Sequence, residues 1–562
     1  MQDELRESHF EAVVIGTGLT QSIVAAALAA ANKPIIHIDE SETYGGPHAS
    51  LSLSELSAFN PTFDSSLISR QYSLSLTPQL IPATGPFIAA LVNSVVRTQE
   101  GFKNVPANKQ DVFKDKAIGL VQKRRLIKFL MFASGEFEGK ETSPLLEFVQ
   151  QVFGIDKELS EALSYAVAFC VDAKDQTLPA LLRTRTYLRS VGRYGPSPFL
   201  IGHYGGAGEL AQGFCRTCAV GGGTYVLGRK VVSVTRHEEE QGEVEEKGKE
   251  TTHRPWTTST GKKFTSYHPP TTFETYGVEG VEVPAGESSA QVPPETQAGA
   301  ESEAQVAKDE DKSQTEDESK AQAEETQPPA PTGPYFRVQL EGFAAPFTAR
   351  MVIGPERWLA SVLDTPNPSE EPKLSNTIRA ILITDAPVAF APPASDQSAP
   401  SDQPVGERLD ESIIIFPSEE GAVSVLVNGS GTMSCPEGKC ILYFAAQSSQ
   451  DPKEYFAKYI STVLDACSPR PEVWGEVYWR EQEVDKIVVR HADQTQQPPP
   501  REEEKHPYST THLTEGPDAA AREAERVFWE ALGDQPGEDG KGKGGVEFFA
   551  RIQREDDLFD DD

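Results

Sequence analysis

The chain holds 562 residues, 38% of them hydrophobic, and its 52 Lys and Arg against 85 Asp and Glu leave a formal net charge of -33. That length predicts two to four domains, and the low apolar share predicts long stretches outside any core. So acidic a chain repels phosphate backbones and anionic headgroups, which argues against nucleic acid as a partner and favours one with a basic face or tail.

Residues 10–16 read as a buried strand, residues 20–31 as an Ala-rich helix and residues 34–39 as a second buried strand, together a βαβ unit of a parallel sheet. Residues 121–133 and 144–190 read as helical, with Leu145, Phe148, Val149, Val152 and Phe153 at helical spacing. They suit a smaller helical domain inserted into an α/β domain. Gly-rich turns and apolar strands return over residues 205–234. From about His237 to Gly333 the chain turns to Glu, Gln, Ser, Thr, Pro and Ala. Too few large apolar residues remain there to offset ordering, so a disordered acidic insertion is expected, with short ordered pieces near Trp256 and Tyr267. Strands are expected again at residues 335–340, 350–353, 377–384, 412–416, 422–427 and 440–445. Amphipathic helices are expected at 452–467 and 518–532, polar loops at 392–406 and 493–510, and an acidic tail after Gly533. No run of about 18 apolar residues exists, so no transmembrane helix is expected. Charged residues 1–9 argue against a signal peptide, and Leu558 to Asp562 hold no Cys for prenylation of the chain itself.

Gly16-Thr17-Gly18-Leu19-Thr20-Gln21 stands where a dinucleotide loop stands, after a strand and at the start of a helix. Gly16 permits the tight turn, Gly18 lets a pyrophosphate approach the helix N-terminus, and Asp39 at the end of the next strand suits a ribose hydroxyl. Gln21 replaces the third glycine. The same turn also serves plain strand–helix packing, so the residues leave flavin binding open. Nothing downstream completes an oxidoreductase. Cys215 and Cys218 have redox spacing, yet Phe214 precedes them on an expected helix, where two small apolar fillers are the plainer reading. A zinc site would need two more ligands, for which Cys435 and Cys440 could be proposed. His37 and His48 read as structural. With Cys170 and Cys467, the six cysteines suit free thiols in a reducing cytosol. No catalytic residue and no metal site is assigned.

Three segments together resemble the family of Rab GDP-dissociation inhibitors and Rab escort proteins. They are Val14 to Thr20 with His37-Ile-Asp39 and Tyr44-Gly-Gly46; Gln122 to Arg125 with Lys128-Phe-Leu130; and Arg193-Tyr-Gly-Pro-Ser-Pro-Phe199 with Gly208-Glu-Leu210, Gln212-Gly-Phe214 and Gly222-Gly-Thr-Tyr225. Weaker similarity continues through 377–388, 430–445, 473–480 and 519–532. Phe214 to Val220, Ala380 to Asp385, Thr432 to Cys435 and the long acidic insertion resemble the escort branch.

The resemblance implies a flavoprotein-like, Rossmann-type large α/β domain over residues 1–120, 191–235 and 334–490. It also implies a helical domain for lipid and transferase over 121–190. The insertion spans 236–333, and a C-terminal segment, 491–562, carries the helix near 518–532 and the acidic tail. The family uses no flavin, so Gly16, Gly18 and Asp39 become a vestigial loop and no cofactor is expected. The implied role is a non-catalytic accessory subunit, cytosolic and transiently in contact with membranes. It binds GDP-bound, unprenylated Rab GTPases, presents them to the Rab geranylgeranyltransferase α/β dimer and delivers the geranylgeranylated product to membranes in vesicle-mediated transport. The Rab-binding positions carried over are Tyr44, Glu209, Arg216 and Val226, with Gln212 and Phe214 beside them. Arg193 and Phe199 match the neighbourhood that holds the Rab C-terminus, and Phe129 and Phe132 are candidates for docking the transferase. Val226 stands where a larger Met is familiar in inhibitors, and the turn from Tyr204 to Gly208 is one residue longer than the family's. Plainer readings are Tyr44 packed on its own Gly-Gly turn, and Glu209 and Arg216 in local salt bridges. The alternatives by function are an inhibitor that recycles lipidated Rab and a flavin-dependent oxidoreductase.

Overall fold

The computed structural model describes residues 9–94, 102–104, 119–135, 143–195, 197–238, 333–363, 374–390, 411–417, 421–493, 513–537 and 539–549, with Leu5 and Leu409 besides. The expected order near Trp256 and Tyr267, most of the acidic insertion, the loop 392–406, nearly all of the loop 493–510 and the final acidic residues lie outside the described residues.

Strand β1 (His9–Ile15) leads into helix α1 (Leu19–Ala30) and strand β2 (Ile35–Asp39). Short strands β3 (Ser50–Leu51), β4 (Thr62–Phe63), β5 (Leu74–Ser75) and β6 (Ile81–Pro82) precede helix α2 (Pro86–Asn93) and strand β7 (Phe102–Asn104). Helices α3 (Leu120–Ser134), α4 (Leu145–Phe153), α5 (Lys157–Ala162) and α6 (Thr177–Ser190) follow, with a π-helical turn at Leu163–Val167. Next come β8 (Phe199–Gly202), α7 (Ala207–Val220), β9 (Thr224–Leu227) and β10 (Val231–His237). The chain resumes with β11 (Tyr335–Leu340), β12 (Phe347–Pro355), α8 (Glu356–Val362), β13 (Leu374–Thr384), β14 (Ser412–Phe416), β15 (Val423–Gly429), β16 (Cys440–Gln447), α9 (Pro452–Asp465), β17 (Val473–Gln482), β18 (Ile487–His491) and α10 (Gly516–Leu532).

Two large sheets organise these elements. The first runs β10-β11-β12-β1-β2-β9, with β18 also paired to β12. Its centre is parallel, β12 to β1 to β2 to β9, as a βαβ unit requires. The second, β14-β15-β16-β13-β17-β4, is antiparallel throughout. The chain is therefore mixed α/β with a Rossmann-type unit, as the sequence predicts. The periodicity did not predict a separate antiparallel sheet, nor α2, β8, β17 and β18.

Alternation along β1 and β2 divides the first sheet between two cores. One face packs on α1, α2, α7 and α10, with Phe87, Phe214 and Trp529 inside. The other holds Val13, Ile36, Ile38, Val226 and Val352. Helix α10 supplies Ala520, Ala524, Val527 and Phe528 to the first of these cores, so it is a working part of the α/β layer. Helices α3, α4 and α6 close a core of their own around Leu126, Phe129, Val149, Phe153 and Leu181. Arg183 on α6 is buried, donates to the carbonyl of Ala168 and pairs with Asp175 and Glu515 at 3.3 Å each. That pairing fixes the helical layer to the start of α10.

Candidate functional site

Tyr44, Glu209, Gln212 and Arg216 depend on two pieces of backbone, the loop after β2 and helix α7. Gly45, at φ +101°, packs so closely that any Cβ there would stand 3.1 Å from the Cα of Gly208 and about as near to Ala49. Only glycine fits both that dihedral and that approach. Tyr44 is thereby held beside the first turn of α7. Leu210, Ala211, Phe214, Cys215 and Cys218 turn inward, while Gln212 and Arg216 are exposed and Glu209 is half-buried. Burial raises the Glu209 carboxyl above its ordinary range. Neither Glu209 nor Arg216 has an ion-pair or hydrogen-bond partner among the described residues, so the local salt bridge foreseen as their plainer role is not formed.

The cofactor-like turn is the mount for this loop. Thr17 donates from its backbone N–H and its hydroxyl to one oxygen of Asp39, at 2.6 Å each. Ser41 N–H takes the other oxygen at 2.8 Å. Gly45 N–H in turn donates to the Thr17 carbonyl at 3.1 Å. The Gln21 amide lies over the glycines, where a Cβ on Gly18 would meet its Oε1 at 2.6 Å. Asp39 is thus engaged on both oxygens and the pyrophosphate approach is filled by Gln21. These residues do not fit a dinucleotide.

Next to the turn, His37 is fully buried and lies 2.6 Å from the Gly16 carbonyl and 2.8 Å from the Tyr225 hydroxyl. A carbonyl only accepts, so Nε2 carries the proton and Nδ1 accepts from Tyr225. Burial holds the ring neutral, its pKa lowered to about 4 against smaller opposing effects from Gly16 and Asp39. The Tyr225 ring lies 6.5 Å from that of Tyr44. A continuous path therefore runs from the turn through His37 and Tyr225 to Tyr44. Sequence reasoning quoted Tyr225 within the Gly222-Gly-Thr-Tyr225 motif but gave it no role, choosing the adjacent Val226 instead.

Five predicted positions do not lie on the exposed face. Val226 pairs with Ile38 and points into the opposite core, because side chains alternate along β9 and Tyr225 takes the Tyr44 side. Phe214 is fully buried against Phe87 and Phe549. Phe199 is buried against Phe169 and Tyr187, while Arg193 nearby in sequence is exposed over the Tyr194 ring. Phe129 is buried and Phe132 half-buried in the helical core, which turns the docking candidates inward. The six cysteines are free and buried. Burial pushes the Cys215 thiol up and that of Cys218 to about 12, opposite to what a reactive pair requires. No cluster of metal-binding groups occurs among the described residues.

Residues 5–254, which contain the turn, Tyr44 and α7, match the GDP dissociation inhibitor family. Over 263 residues this chain is 32% identical to the Rab proteins geranylgeranyltransferase component A of Saccharomyces cerevisiae, a match covering 40% of this chain and 44% of that protein. It is 33% identical over 283 residues to the protein of the same name in Drosophila melanogaster, covering 41% of this chain and 55% of that one. The match thus spans about half the length of these relatives. The fold is that of the Rab GDI from Plasmodium falciparum, with a TM-score of 0.53 over 94% of this chain and 99% of that one at 14% identity. Within the matched residues, Tyr44, Glu209, Gln212 and Arg216 form the outward patch, backed by Thr17, His37 and Tyr225.

Proposed function

We propose that the protein is a Rab escort protein. It binds newly made, GDP-bound Rab through Tyr44, Glu209, Gln212 and Arg216, and presents it to Rab geranylgeranyltransferase. It then carries the lipidated product through the cytosol to membranes. The chemistry belongs to the transferase, and this chain is its accessory subunit. The observation that carries the reading is the pair of uncommitted charges, Glu209 and Arg216, beside a fixed Tyr44. A rigid aromatic anchor flanked by unpaired charges of both signs suits a partner surface that is itself mixed, with the charges selecting orientation. The names of the relatives supply the partner. Arg193, which is exposed, is the residue read to meet the Rab C-terminal segment, with Phe199 in the same stretch of sequence. The helical layer over residues 121–190 is the region for lipid and transferase.

Reconstitution tests this directly. The chain should stimulate geranylgeranyl transfer to unmodified GDP-bound Rab by purified transferase, and an absence of stimulation would sink the reading. An inhibitor, whose fold this chain shares, should instead extract lipidated Rab without supporting transfer. Arg216→Glu should weaken Rab binding by roughly tenfold or more while leaving the melting temperature unchanged, since its side chain is exposed. The purified protein should show no flavin absorbance, because Gln21 and Gly45 occupy the approach to the turn.

A further inference from the structure

Helix α3 has two unlike faces. Leu126, Phe129 and Ala133 are buried in the helical core. On the opposite side Leu120, Val121, Ile127 and Met131 are 79%, 60%, 42% and 70% exposed. Leu120, Arg124, Ile127 and Met131 follow the spacing i, i+4, i+7, i+11, which places them on one line along the helix. Arg124 and Lys128 are exposed beside the apolar residues. The helix carries Lys123, Arg124, Arg125 and Lys128 and no acidic residue. Helix α6, a member of the same core, has no acidic residue either. A cationic stretch with an outward aliphatic row therefore stands on a chain of net charge -33.

Exposed aliphatic residues aligned on a helix call for a cover, and the surrounding cations set its charge. Of the Trp, Tyr and Arg anchors that dominate protein hot spots, the outward row of α3 carries Arg124 alone and no aromatic residue, whereas its aliphatic residues are in the majority. An anionic bilayer surface meets both demands. Aliphatic side chains enter the headgroup boundary by about 5–10 Å, and Arg and Lys reach the phosphates. No helix among the described residues is long and apolar enough to cross a membrane, so contact would be in the plane of the surface. The net charge of the chain opposes this at a distance. At contact the charges of α3 dominate, because screening acts over about 8 Å at physiological ionic strength.

We infer that the outward face of α3 is a docking surface for anionic phospholipid membranes. It is separate from the α7 patch, so the two can fail independently. Flotation of the full chain, without any GTPase, tests it with phosphatidylcholine vesicles that contain or lack phosphatidylserine. Binding should require phosphatidylserine and fall as salt rises. The double variant Arg124→Glu, Lys128→Glu should reduce it roughly tenfold to thirtyfold. Ile127→Asp with Met131→Asp should reduce it comparably, and both variants should melt as the parent and bind GDP-loaded Rab unchanged. Absence of phosphatidylserine-dependent flotation, or unaltered flotation of both variants, would overturn the inference. So would variants that lose only the binding of purified transferase, since that outcome assigns the face to a protein.

Discussion

Tyr44 owes its place to residues behind it in the fold. The turn that resembles a cofactor site is held closed by Thr17 on Asp39 and by Gln21 across the glycines. The same turn anchors Gly45 and, through His37, the Tyr225 hydroxyl. Tyr225→Phe tests that path. Among the described residues it removes the one donor to His37 Nδ1 and leaves a fully buried acceptor unpaired, a loss worth about 1–3 kcal/mol. Thermal unfolding should register the cost. Rab affinity, measured well below the melting temperature, should also fall several-fold because the support of the Tyr44 ring loosens. A drop in stability with unchanged affinity would show that Tyr225 serves the core alone. Nothing local in the sequence signals Gln21 or Tyr225 for these roles. Each acts through a partner that only the folded sheet brings near, whereas Glu209 and Arg216 are readable as charges on an amphipathic helix.

At the scale of elements, legibility follows periodicity. β1, α1 and β2 stand out because buried parallel strands are continuous apolar runs and the helix between them is rich in alanine. β17 escapes because charged residues alternate with its aromatics and Gly475 interrupts it. α2 escapes because its eight residues span barely two turns, and its start is stabilised from far away in sequence. Phe87 N–H there donates to Asp518 of α10 at 3.1 Å. Burial raises the Asp518 carboxyl to about 6, against smaller lowering effects of that bond and of Arg522. Its ionisation therefore costs stability above pH 6, and the cost lifts as pH falls toward 3.8. His37 and His48 act in the opposite sense. Burial lowers each to about 4, with Arg379 adding to the effect at His48, so the unfolded chain takes up their protons first. Stability present above pH 6.5 is lost as pH falls toward 4, by about 3 kcal/mol at most per histidine. The intact chain should thus lose stability only moderately over this range, because Asp518 offsets part of the loss. Asp518→Asn keeps the acceptor and removes the offset. Its melting temperature should fall more steeply between pH 6.5 and 4, and parallel curves would rule the offset out.

Across the whole molecule, one construction recurs. A parallel sheet carries the candidate binding face, an antiparallel sheet stands with it in the same compact unit, and long-range pairings such as Arg183 with Glu515 tie the layers together. The acidic segment interrupts this construction at a point that tolerates it. β10 and β11 are neighbours in the first sheet, paired antiparallel from Val231↔Leu340 to His237↔Tyr335, although residues 238–334 lie between them in sequence. The His237 and Tyr335 rings stack at 5.3 Å where the strands part, so the two ends are already adjacent. An antiparallel pair needs only a short turn to join it. Replacing residues 239–332 with an Asn-Gly turn should therefore convert β10 and β11 into a plain hairpin. The shortened chain should melt within a few degrees of the parent, since the pairing of β10 with β11 is complete up to His237 and Tyr335. It should bind GDP-loaded Rab with unchanged affinity, because Tyr44 and α7 lie elsewhere in sequence and are held by β2, β9 and α1. Retained folding with lost Rab binding would instead place part of the partner's contact in the excised segment, and the α7 patch would then be only one half of the site.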